Sequence, residues 1–83
     1  MYEIIFSKKA KIQLIKLDKL IQKRIISVLE RARIRPQDYF ERLVGEKAYK
    51  LRAGDYRIIA DIINEKLLIL VIEIGHRKNI YKP

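Results

Sequence analysis

The residues with most chemical potential lie in two stretches, Tyr49-Lys50-Leu51-Arg52-Ala53-Gly54-Asp55-Tyr56-Arg57 and the C-terminal run Gly75-His76-Arg77-Lys78-Asn79-Ile80-Tyr81-Lys82. The first sets three cations among alternating apolar positions. The second gathers an imidazole, a guanidinium, two ammonium groups and a phenol. Guanidinium forks and ammonium point charges are the side chains that hold phosphate, and a tyrosine ring stacks on a base or handles a proton. Metal chemistry has little to work with: there is one His, no Cys, and the carboxylates never cluster at ligand spacing. No metal and no cofactor are expected.

Strand alternation organises the first stretch. With strands over 48–52 and 55–63 and a two- or four-residue turn around Ala53-Gly54, Lys50 falls directly opposite Arg57 on one face. Like charges so placed destabilise a sheet, and such a pair is kept more readily where an anion sits over it. Tyr49, Leu51, Tyr56 and Ile58 then turn to the other face, so one side is greasy and the other cationic. Other readings stay open. Lys50 and Arg57 are equally at home as solvated surface charges, and a three-residue Asn64-Glu65-Lys66 loop would put Glu73 opposite Arg57 as a structural ion pair. His76 suits plain solvent exposure, and Tyr81 suits packing on the domain.

The elements that must carry these groups follow from periodicity. Residues 2–6 are too short for a helix and read as a strand. Ser7 is a cap for a helix whose Ala10, Ile12, Leu14, Ile15 and Leu17 recur at near-helical spacing, with Lys8, Lys9, Lys11 and Lys16 on the other side. Asp18 is expected to cap a second helix along Ile21, Ile25, Val28, Leu29 and Ala32, ended by Pro36. The tight joint between them implies an antiparallel hairpin on one face of a sheet. Residues 37–47 read as a loop. A third strand of the meander spans 66–74, and its apolar run Leu67 to Ile72 suggests a central strand buried on both faces. The expected class is α+β: an N-terminal strand, a two-helix hairpin, then a three-stranded antiparallel meander, in one domain over 1–83.

Composition sets bounds. In 83 residues, 19 Lys and Arg face 10 Asp and Glu, for a net charge of +9, while 49% of residues are hydrophobic. That is a folded polycation, for which nucleic acid is the commonest partner and an acidic protein the next. A chain of this size buries only about 60% of its unfolded surface, so any site belongs on the outside. The absence of cysteine fits the reducing cytoplasm, and no apolar run is long enough to cross a bilayer, so no membrane association is expected.

The segment Tyr49 to Ile59, the apolar strand Leu67 to Ile74, and Gly75-His76-Arg77 followed by Tyr81 resemble the RelE/ParE toxin superfamily, its RelE-type members most closely. The resemblance covers essentially the whole chain. It implies a type II toxin, a ribosome-dependent endoribonuclease that cuts messenger RNA and is neutralised by an acidic helical antitoxin, with a heterotetramer as one assembly. By the same resemblance Lys50 matches a lysine that activates the attacking hydroxyl, Arg57 and Arg77 would hold the scissile phosphate, and Tyr81 would stack on the base or assist proton transfer. Arg52, Lys78 and Lys82 would add RNA contacts. Ala48 stands where the bacterial prototype has a further lysine, a gap that His76 would fill as general acid or base. The other outcomes are a ParE-like toxin acting on DNA gyrase and a non-catalytic RNA-binding module.

Overall fold

A computed structural model describes residues 1–45 and 47–76. Arg77, Lys78, Tyr81 and Lys82 lie outside the described residues. The chain runs β1 (Glu3–Phe6), α1 (Lys8–Ile15), α2 (Lys19–Ala32), a 3-10 turn at Pro36–Asp38, β2 (Glu41–Arg42), β3 (Tyr49–Ala53), β4 (Tyr56–Ile63), a second 3-10 turn at Asn64–Lys66, and β5 (Leu68–His76). The sheet order is β1-β5-β4-β3-β2. β1 runs parallel to β5, and the remaining pairs are antiparallel. The expected α+β architecture is therefore present, with β5 central as its apolar run implied.

Both helices cover one face. Ile25, Leu29 and Ala32 of α2 are buried together with Leu51, Ile58, Ile69, Val71 and Ile74 of the sheet, and Ala10 enters the same core from α1. The α2 stripe is the one its spacing predicts. In α1 the stripe is narrower: Ala10 and Leu14 face the core, joined by Leu17 just past the helix end, whereas Ile12 and Ile15 are exposed, because at about 100° per residue they point about 200° and about 140° away from Ala10. Asp18 occupies the cap position of α2 but makes no side-chain capping bond. Ser7 does cap α1, accepting from the Ala10 amide at 3.0 Å.

Three further details differ from the sequence reading. Residues 37–47 are not all loop, since Glu41–Arg42 add a fifth, edge strand on β3. Leu67 is not in the last strand; it closes the second 3-10 turn in a left-handed conformation, φ 50°. β5 is buried on one face only, with Ile69, Val71 and Ile74 inside and Ile72 at the surface.

The last point has a local cause. Ile59 pairs with Glu73 and Ala60 with Val71, so Ile72 is the extra residue of a β-bulge. Inward positions along β5 switch there from odd numbers to even ones. α1 satisfies the backbone groups around the bulge: the Ser7 hydroxyl donates to the Ile72 carbonyl at 2.9 Å, and the Ile74 amide donates to Gln13 Oε1 at 2.7 Å. Ser7 thus serves helix cap and bulge together. Ser7→Ala is expected to lower stability by about 1–2 kcal/mol, read as a reduced urea midpoint with an unchanged slope.

Candidate functional site

The face of the sheet opposite the helices carries the site. The β3–β4 hairpin closes through Gly54-Asp55, with Ala53 opposite Tyr56. Gly54 has φ +61° at the first central position, the residue that a two-residue type II′ turn needs there. Ala53 stays in the strand because its methyl is buried in the core.

This placement corrects the expected register. The hairpin centre lies one residue further along the chain, so Arg52, not Lys50, is opposite Arg57, and Lys50 is opposite Ile59. The shift preserves the faces because it moves each partner by two residues. Lys50, Arg52 and Arg57 therefore share the outer face, with Lys50 diagonal to Arg57. Tyr49, Leu51, Tyr56 and Ile58 turn toward the helices, as alternation requires. On its other side Lys50 is paired with Glu41 of β2, Nζ to Oε2 at 3.6 Å. Glu73 does not fall directly opposite Arg57: it lies opposite Ile59 and meets Lys9 of α1 at 3.5 Å, and Gly75 stands opposite Arg57.

These groups surround a shallow cavity of about 170 Å³ lined by Tyr39, Glu41, Lys50, Leu51, Arg52 and Arg57. Arg57 is half-buried, and its Nε is withdrawn from solvent, whereas Arg52 is exposed. Arg24 of α2 reaches the hairpin from the opposite face: a Cβ added at Gly54 would lie 3.1 Å from its Nη1. Positive charge thus wraps around the β3–β4 turn. No group of three or more His, Cys, Asp or Glu side chains able to hold a metal ion occurs among the described residues.

His76 is placed elsewhere. The bulge puts it opposite Tyr56 on the helix side, and the two rings meet edge to face with centroids 5.5 Å apart. The structure therefore brings Lys50, Arg52 and Arg57 together and sets His76 on the other side of the sheet. Tyr39 and Glu41 were not singled out by the sequence reading. Both fall in the segment taken for a loop, and the adjacent aromatics Tyr39-Phe40 were the one signal of a fixed structure there.

The profile of the ParE toxin of type II toxin–antitoxin systems (parDE) matches residues 4–81. The chain belongs to the RelE/ParE toxin superfamily. A putative RelE-like toxin protein of Escherichia coli is 32% identical over 80 residues, covering 93% of this chain and 84% of that protein. Among solved structures, the toxin–antitoxin complex RelBE of E. coli contains a chain that superposes with TM-score 0.78 at 26% identity, covering 92% of this chain and 96% of its own. A RelBE complex of Mycobacterium tuberculosis shares the fold, with TM-score 0.84 at 23% identity and coverage of 92% and 98%. This RelE-type toxin has no described helix long and apolar enough to cross a membrane.

The direct Arg52–Arg57 opposition carries a testable cost. Arg52→Thr is expected to raise stability by about 0.5 kcal/mol in low salt, measured by urea unfolding, with the gain shrinking as salt is added.

Proposed function

We propose that the chain is a metal-independent endoribonuclease that cuts messenger RNA on the ribosome, acting as the toxin of a toxin–antitoxin pair. The observation that carries this reading is the cavity on the sheet face opposite the helices, where Arg52 and Arg57 stand side by side next to the Lys50–Glu41 pair. Such a site suits a phosphodiester that gains charge during reaction.

In the proposed reaction the ribose 2′-oxygen attacks the adjacent phosphorus while its proton passes to the Lys50–Glu41 pair. Lys50 fixes the Glu41 carboxylate at 3.6 Å and contributes positive charge. Arg57 and Arg52 stabilise the added negative charge on the pentacoordinate phosphorus, with Arg77 as a further phosphate ligand from the tail. The bond from phosphorus to the 5′-oxygen then breaks, leaving a 2′,3′-cyclic phosphate and a 5′-hydroxyl that takes up a proton, for which we assign Tyr81. Lys78 and Lys82 contact the RNA backbone. His76 is the weakest member of the expected set because it faces Tyr56 on the helix side.

An acidic, helical antitoxin is the partner we infer. Its carboxylates would meet the cations of the cavity, and its apolar residues would cover surface such as Ile5 and Ile72 on the outer sheet face, or Ile12, Ile15 and Leu20 on the helices. The superposing E. coli and M. tuberculosis chains come from toxin–antitoxin complexes. A second reading, a toxin that acts on DNA gyrase, is favoured by one observation: the matching profile is that of the ParE branch.

Purified protein added to translating ribosomes should cut the message at the vacant A site. Arg57→Ala should lower that rate by about 10²-fold or more, the scale of losing one preorganised charge-stabilising donor, with Arg77→Ala a comparable test of the tail. Intact message with wild-type protein, together with loss of DNA supercoiling, would transfer the assignment to gyrase.

A further inference from the structure

The cavity is chemically lopsided. Arg52 and Arg57 line one side of it, whereas Tyr39 and Glu41 come from the segment that leads into and forms the edge strand β2. Glu41 draws the Lys50 ammonium toward itself, at 3.6 Å, and its own carboxylate is largely exposed. The phosphate is thereby drawn to the arginine side, where positive charge is not offset by the Lys50–Glu41 pair, and the Tyr39 side is left for a base.

Tyr39 combines an exposed ring with a fixed backbone. It is exposed, with 39% of its surface accessible, yet its backbone is fixed: its amide donates to the Pro36 carbonyl at 3.0 Å, and the next amide, of Phe40, donates to the same carbonyl at 2.8 Å. Pro36, which accepts both bonds, and Phe40, the next residue, are both buried. An aromatic ring on a fixed backbone, lining a cationic cavity, gives up only its two side-chain torsions on binding, and any nucleobase offers it a π face.

We propose that Tyr39 is a stacking platform for a nucleobase next to the phosphate held by Arg52 and Arg57, so that the cavity reads a single-stranded nucleotide as a base and phosphate together. This inference rests on the RNA reading given above. It adds a binding residue to that reading and leaves the bond-breaking chemistry unchanged.

The test measures equilibrium binding of a trinucleotide with 2′-O-methyl riboses, which cannot be cut, and of the same probe with each base removed in turn. Tyr39→Leu should weaken binding of the intact probe about tenfold, within the range expected for one base stacked on one aromatic ring. Tyr39→Phe should stay within about twofold of wild type, since the ring and not the hydroxyl is used. For one of the base-deleted probes, wild type and Tyr39→Leu should bind equally. The slope of affinity against salt should be unchanged by Tyr39→Leu and flattened by Arg57→Ala. The proposal is overturned if wild type does not bind the intact probe, if Tyr39→Leu binds it as wild type does, or if its deficit persists undiminished with every base-deleted probe, which would mark a structural effect. Failure of the underlying reading shows separately, as wild-type protein that leaves message on ribosomes intact.

Discussion

The left-handed turn at Gly54 is the constraint on which the outer face depends. With φ +61° at the first of two central positions, it fixes Ala53 opposite Tyr56, and every later pair of the hairpin follows. Arg52 is forced against Arg57, Lys50 is set one step away beside Glu41, and the apolar members of both strands are sent under the helices. A side chain at Gly54 would strain the turn and press on Arg24, so the position links hairpin geometry, local charge and helix packing. The arrangement spends some sheet stability on a concentrated positive field, the pattern expected where a face is shaped for an anionic partner.

Much of this was legible in the residues. The helices, the three long strands and the central place of the last one follow from a change of period between Ala32 and Tyr49 and from the branched apolar run of β5. The cationic face was also legible, because alternation is insensitive to a shift of the hairpin centre by one residue. The exact partner of Lys50 was not, since Ala53 can stand equally in a turn or at a strand end, and only its burial against the core decides.

Other features depend on long-range contacts that local pattern does not encode. The edge strand Glu41–Arg42 is two exposed residues whose only sign of order is their pairing with Lys50 and Tyr49. The bulge at Ile72 is supported by Ser7 and Gln13, more than fifty residues earlier in the chain, and it alone decides that His76 lies with Tyr56. Counting along β5 without it would place the imidazole on the cationic face. The resemblance to the RelE/ParE toxins, borne out by the profile for the superfamily and by the E. coli relative for the RelE type, identifies the family, while the disposition of side chains comes from these tertiary details.

The pairing of β1 with β5 also bears on the order of folding. β5, the last of the described strands along the chain, lies between β1 and β4, and Glu3 to Phe6 have no neighbour among those strands until Leu68 to Val71 dock. Closure therefore waits on a contact spanning most of the chain, which makes it a late event in folding. Until that strand docks, β4 lacks one of its two neighbours and Arg57 has no residue across from it on that side.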